Sequence, residues 1–149
     1  MPDPDLIIRE AVIEDVDSIM DLEKGSIAHP WVRSEFESLI NDSNKICLII
    51  ESEGKCVCYV GADIVLDESN IGNIVTAPEC RGRGFGTKLM NALLDELKKR
   101  GAAKVFLEVE HDNAPALALY EHCGFEKYGR RRDYYGAGRD AVLLSKCID

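Results

Sequence analysis

The chain has 149 residues, 46% of them hydrophobic and 30% charged, a composition that suits a globular protein long enough to bury its own core and not a disordered polar segment. Its net charge of −9 argues against a general nucleic-acid binder, because phosphate backbones are held by clustered Lys and Arg in a positive field. No apolar run approaches the ~20 residues that cross a bilayer, and Met1 to Asp5 lack the basic and apolar regions of a leader, so no membrane association is expected and the expected location is cytoplasmic.

Leu6-Ile7-Ile8 reads as a short strand, and Val16, Ile19 and Met20 recur at helical spacing within Ile13 to Lys24. Gly25 to Pro30 breaks that pattern. Ser34-Glu35-Phe36-Glu37 has the form of a capping box and predicts a second short helix carrying Phe36, Leu39 and Ile40. Ile46 to Ile50 and Lys55 to Leu66 flank Glu53-Gly54 as a β-hairpin, and Ile71 to Thr76 adds a strand after a polar turn at Asp67 to Asn70. A glycine-rich loop then leads into a helix from Phe85 to Arg100 stopped by Gly101, and a strand follows from Lys104 to Glu110. Ala114 to Cys123 is the last helix, with Gly124 as a left-handed cap, and Phe125 to Arg132 and Ala141 to Cys147 are the last strands. No repeat or linker divides this order, so residues 1–149 are expected to form one α+β domain with mixed strand directions.

The loop Arg81-Gly82-Arg83-Gly84-Phe85-Gly86 joins a strand to a helix, a place where consecutive backbone N–H groups and the helix dipole together attract an anion. Gly82, Gly84 and Gly86 let the main chain come close to a pyrophosphate, Arg81 and Arg83 can neutralise its charge, and Thr87 offers a hydroxyl at the helix start. Gly-x-Gly-x-x-Gly with a following acidic residue and Gly-Lys-Ser/Thr are both absent, which disfavours Rossmann and Walker-type sites. A plain strand-to-helix turn remains the bland alternative. The six cysteines, in a chain of this size without a leader, are expected as reduced thiols, and Cys56 and Cys58 have no second pair at zinc-ligand spacing, so no metal is expected.

Asn73 to Leu89, which contains this loop, resembles the central motif of the GNAT acetyltransferase superfamily, with Arg81, Gly84 and Gly86 on the motif positions. His29-Pro30-Trp31, Leu107-Glu108-Val109, Asn113 to Tyr120, Gly124-Phe125 and Arg131 to Tyr135 extend the resemblance over nearly the whole chain. It is closest to ribosomal-protein alanine N-acetyltransferases and archaeal protein N-terminal acetyltransferases. The resemblance implies a single GNAT-type domain, with a mixed, mainly antiparallel sheet of about seven strands splayed in the middle and about four flanking helices. It implies acetyl-CoA as cofactor, transfer to a protein or peptide N-terminus, possession of a ribosomal protein as one such partner, and a monomer or weak homodimer.

Site residues follow from the same resemblance. Main-chain groups of Ile74, Val75 and Thr76, together with Asn113, would hold the pantetheine arm, and Arg81, Gly82, Arg83, Gly84, Phe85, Gly86 and Thr87 the pyrophosphate. Glu108 would be the general base on the acceptor amine and Tyr120 the general acid on the coenzyme A sulfur. Glu108 could instead be an edge carboxylate, Tyr120 a core aromatic and Asn113 a helix cap; Glu110 reads as a solvated charge and Arg130 to Arg132 as a solvated strand end or a source of salt bridges. Tyr134 and Tyr135 precede Gly136-Ala137-Gly138, a flexible turn suited to closing over a peptide, and with Pro30 and Trp31 they would wall the acceptor groove or serve only as packing residues. A reactive thiol at Cys80 or Cys123 stays an alternative. So do an acetyltransferase for a small amine or polyamine, and a non-catalytic acyl-CoA-binding module.

Overall fold

The computed structural model describes residues 6–24 and 32–148. Seven strands form one sheet, β1 (Leu6–Glu10), β2 (Lys45–Ser52), β3 (Lys55–Val65), β4 (Glu68–Thr76), β5 (Lys104–Glu110), β6 (Glu126–Arg131) and β7 (Ala141–Cys147), in the order β1-β2-β3-β4-β5-β7-β6. Four α-helices accompany it among the described residues, α1 (Val16–Lys24), α2 (Arg33–Asn41), α3 (Phe85–Lys99) and α4 (Ala114–His122). All neighbouring strands are antiparallel except β4 and β5. That exception follows from α3, the crossover that brings the chain back in the same direction.

The helices cover the sheet unequally. Phe85, Leu89, Met90, Leu93, Leu94 and Leu97 make a buried stripe on α3, each side chain worth roughly 1.5–3 kcal/mol of burial, and they pack on Ile46, Leu48 and Ile50 of β2 and on Val105, Leu107 and Val109 of β5. On the opposite face a smaller core joins Val16 and Ile19 of α1, Phe36 and Leu39 of α2, and Cys47, Ile49, Cys56, Tyr59 and Val75 of β2 to β4. β2 and β3 are therefore buried on both faces and read as continuous apolar runs. This second core takes no residue from β5, β6 or β7 among the described residues, so Phe106, Glu108 and Glu110 stay only half-buried while their neighbours on β5 are buried.

Boundaries differ from the sequence reading in three places. Glu35, rather than Glu37, closes the start of α2 by accepting from the Val32 N–H at 3.2 Å, two residues earlier than the Ser34 box. The β3–β4 turn is tighter than Asp67 to Asn70, because Glu68, Ser69 and Asn70 already pair with Val65, Ile64 and Asp63. The first helical stretch begins as a 3-10 turn at Ile13–Asp15. Gly101 (φ 94°) and Gly124 (φ 91°) end α3 and α4 in the left-handed region, as their positions in the chain suggest.

Two hydroxyls inside the sheet are in opposite circumstances. Tyr59, 2% exposed, donates to the carboxylate of Glu23, which is 0% exposed on the last turn of α1; burial, then this bond, raises the Tyr59 pKa. Ser69 Oγ is buried without a hydrogen-bond partner. An unpartnered buried hydroxyl costs about 1–3 kcal/mol, as does removal of one that satisfies a buried partner. Ser69→Ala is therefore expected to leave the urea midpoint unchanged or raised, and Tyr59→Phe to lower stability by about 1–3 kcal/mol; equal losses in both would contradict the assignment.

Candidate active site

β4 and β5 pair over three positions only, Glu68 with Lys104, Ser69 with Val105 and Asn70 with Phe106. Past these they part, and the cause is visible in β4. Val60 of β3 faces Ile74 while Ala62 faces Ile71, so Gly61 alone stands against Gly72 and Asn73. Such a bulge bends its strand and increases its twist. The bend is packed from outside, since a Cβ on Gly61 would lie 2.7 Å from Leu39 Cδ2 of α2. Ile74, Val75 and Thr76 thus lie on a stretch of β4 that has no partner in β5, and where the two strands begin to part lies a cleft of about 520 Å³ lined by Asn70, Gly72, Phe106, Glu108, Tyr128, Arg131, Tyr134 and Tyr135.

Behind β4 the chain makes a 3-10 turn at Pro78–Cys80 and enters α3 through Arg81 to Gly84. Gly82 and Gly84 both have φ of 79°, a left-handed conformation that L side chains adopt at a cost of ~1–2 kcal/mol, and the space where a Cβ would project is open at both. The first bond within α3 runs from the Lys88 N–H to the Gly84 carbonyl, leaving the N–H groups of Phe85, Gly86 and Thr87 without an intrahelical acceptor. These features fit a bound diphosphate. The Phe85 side chain is 3% exposed in the core with the Arg83 guanidinium 4.9 Å from its ring centroid, so Phe85 can offer such a ligand only its main chain. A Cβ on Gly86 would meet Leu119 of α4 at 3.2 Å, which shows how closely the loop is set against the helix that carries Tyr120.

Tyr120 is 5% exposed and stacks edge-on with Phe125 at 6.0 Å. Burial raises its pKa, so its hydroxyl keeps its proton through neutral pH. Asn113 caps α4, its side-chain oxygen accepting from the Ala116 N–H at 3.3 Å. That is the capping role the sequence also allowed, and the amide nitrogen is left as a donor. Burial likewise pushes the Cys123 thiol up, and Cys80 is buried, which speaks against either as a nucleophile.

Glu108 lies in the cleft with its side chain 33% exposed, and Arg131 Nη1 is 3.6 Å from its Oε1. A hydrogen bond to Glu108, then burial and the carboxylate charge, raise the Tyr134 pKa. Burial, followed by the Glu108 charge, pushes Tyr135 up to about 12. One carboxylate and two tyrosines are thus gathered at one point, with Tyr134 and Tyr135 rings edge-on at 5.0 Å. Pro30 and Trp31 lie outside the described residues.

Two expectations change here. Glu110 is not a solvated charge: Arg139 grips it with two bonds, Nε to Oε2 at 3.1 Å and Nη2 to Oε1 at 2.7 Å. The turn after Tyr135 is not a loose flap either. Gly138 N–H donates to Asp133 Oδ1 at 2.7 Å, Asp133 N–H to Asp140 Oδ1 at 2.9 Å and Arg130 Nε to Asp140 Oδ2 at 2.8 Å, while Arg139 and Tyr135 bond through their main chains at 3.1 Å. Its glycines serve the compact path instead, Gly138 with φ of 74°. Sequence reasoning missed Arg131, Arg139, Phe106 and Tyr128; only the arginine run hinted at the first, and no local spacing links Arg139 to Glu110.

Residues 16–125 match the model of the acetyltransferase (GNAT) family. The [ribosomal protein bS18]-alanine N-acetyltransferase of Escherichia coli (strain K12) is 36% identical over 135 residues, covering 88% of this chain and 90% of the relative. The crystal structure of the ribosomal-protein-S18-alanine N-acetyltransferase from Escherichia coli superposes with a TM-score of 0.89 at 32% identity, covering 97% of this chain and 94% of that one. Ard1 from Thermoplasma volcanium shares the fold, with a TM-score of 0.89 at 21% identity over 97% of this chain and 99% of that one.

The bracing of residues 133–140 is electrostatic and so depends on pH. The Arg139 bond holds Glu110 below the usual carboxylate range, and the Asp133 N–H, then Arg130, do the same for Asp140. Carboxylates depressed in the native state contribute fully above the ordinary value near ~4 and lose that contribution as the pH falls through the lower native value. Hydrogen exchange at Asp133 and Gly138, measured relative to an unstructured chain at the same pH, is therefore expected to be slow near neutral pH and to quicken on acidification below ~4. Arg139→Met should quicken it at neutral pH, and unchanged protection in that variant would show that the ion pair does not hold the loop.

Proposed function

Because the chain belongs to the GNAT acetyltransferase family, we propose that it transfers the acetyl group of acetyl-CoA to the N-terminal α-amino group of a protein, with a ribosomal protein beginning in alanine as the model acceptor. The observation that carries this reading is Glu108 in the mouth of the strand splay, faced by Tyr134 and Tyr135 and close in the chain to the buried hydroxyl of Tyr120. Supporting it is the likeness to relatives whose names specify alanine N-acetylation.

GNAT enzymes use acetyl-CoA, and the loop from Arg81 to Thr87 has the left-handed glycines, open approach and unpaired helix-start N–H groups that its diphosphate needs. The unpartnered stretch Ile74 to Thr76 supplies main-chain groups for the pantetheine amides, which bond to a strand edge as another strand would. When bound, acetyl-CoA supplies an activated acetyl group and a sulfur leaving group. An acceptor amine reaches the cleft mainly as an ammonium and must lose a proton before it can attack. Glu108 takes that proton, directly or through one water. Tyr120 holds a proton at its hydroxyl through neutral pH, which supports its role as the acid that gives one to the departing sulfur.

Incubation with acetyl-CoA and an alanine-starting peptide tests the reading by mass spectrometry. Acetylation of the peptide N-terminus is expected; acetylation of spermidine alone would move the assignment to a small-amine enzyme, and no transfer to either would leave an acyl-CoA-binding module. Glu108→Gln and Tyr120→Phe should each lower kcat/KM by about 10²-fold or more with coenzyme A binding retained. Gly84→Asp, which sets an anion and a strained φ in the loop, should abolish coenzyme A binding by calorimetry while leaving the far-UV spectrum of the folded protein.

A further inference from the structure

Among the described residues Arg131 is the one charged side chain besides Glu108 that lines the cleft, and its position there has an electrostatic origin. Across the sheet, Arg131 of β6 stands opposite Ala141 of β7, which stands opposite Glu110 of β5; the next row is Gly129, Leu143 and Glu108. By register Arg131 should meet Glu110. Arg139 already occupies both Glu110 oxygens, and so the guanidinium turns along the sheet to Glu108 instead. Small residues clear its path, Ala141 beside it and Gly129 across from Glu108. Its Cζ rests 5.6 Å from the Tyr134 ring centroid, which holds the charge at the cleft wall.

At 3.6 Å the contact between Arg131 and Glu108 is an ion pair too long for a hydrogen bond. A donor able to approach more closely can therefore displace it. An acceptor ammonium is such a donor, and it carries the same charge as the group it would replace. We propose that Arg131 is a positioning residue for the acceptor amine: it stands in for the ammonium at Glu108 in the resting protein and, once displaced from that carboxylate, keeps a positive charge on the amine side of the cleft, where it disfavours the ammonium more than it disfavours protonation of Glu108. This rests on the reading of Glu108 as the proton acceptor. No bond other than the N–H of the ammonium is broken by this effect, and that proton goes to Glu108.

The two roles oppose each other in binding and in rate, so they leave a signature. Arg131 competes with the ammonium in the ground state and assists its deprotonation afterwards. In Arg131→Met the KM for the acceptor should fall about threefold, a modest figure because Arg131 is 58% exposed, while kcat falls about tenfold. The KM for acetyl-CoA should not change. Arg131→Lys, which keeps the charge, should recover most of the lost kcat. A residue that merely props up the wall would raise the acceptor KM when removed.

The alanine-starting peptide titrated without acetyl-CoA keeps its ammonium N–H donors and cannot be acetylated, and so reads the ground-state half alone. Calorimetry should show it binding Arg131→Met about threefold more tightly than wild type, whereas the same peptide with a neutral cap should bind both equally. A higher acceptor KM in Arg131→Met, unchanged kcat, or equal binding of the uncapped ammonium peptide by both proteins would each overturn the proposal. Should wild-type protein acetylate spermidine and not peptides, the peptide reading fails, and the same split is measured with spermidine, which also presents an ammonium.

Discussion

The break in pairing between β4 and β5 is the constraint on which the rest of the molecule depends. Two parallel strands held by three pairs and then separated cannot satisfy their facing main-chain groups by themselves. A bulge at Gly72 and Asn73 commits β4 to this departure, and Leu39 packed over Gly61 fixes it from the far side. The glycine loop and α3 follow β4 in the chain, α4 follows β5, and β5 carries Glu108 into the cleft. The short helices α1 and α2 matter by their limited reach, because they bury β2 to β4 and leave the outer face of β5 to solvent and substrate.

Around the opening, charge is distributed so that each carboxylate has a defined cation. Arg139 takes Glu110, Arg130 takes Asp140, and Arg131 is thereby left for Glu108. Exposed ion pairs of this kind contribute little stability one by one. Their value lies in geometry: the same contacts that fold residues 133–140 into a compact turn hold Tyr134 and Tyr135 at the cleft wall. A chain of net charge −9 thus keeps a concentration of arginines at its acceptor side, and most of that positive charge is already locally matched.

Much of this was legible in the sequence where the signal is local. Helix periodicity located α3, glycines marked the ends of α3 and α4, and alternation on β5 separated Glu108 from Val105, Leu107 and Val109. The wider resemblance identified the family of the chain. What escaped were relations between distant residues. Glu110 looks solvated until Arg139, 29 positions away, is folded onto it, and Gly136 to Gly138 look loose until Asp133 and Asp140 are seen to bind the turn. For Phe85 and Asn113, expected at the ligand from their places in a motif, the structure adds that the Phe85 side chain is in the core, leaving its main chain for a ligand, and that Asn113 also caps α4.

The cysteines, which have no part in the chemistry, acquire an experimental meaning from their burial. Cys47 and Cys56 have thiols pushed up to about 12 and Cys58 to about 11 by desolvation, and Cys80 and Cys123 are also buried. Cys147 alone is exposed. It pairs with Lys104, at the closed end of the wedge between β4 and β5, four residues along β5 from Glu108. The native protein therefore carries a single accessible point for a thiol-directed fluorophore, set at the hinge of the strand separation and away from its mouth.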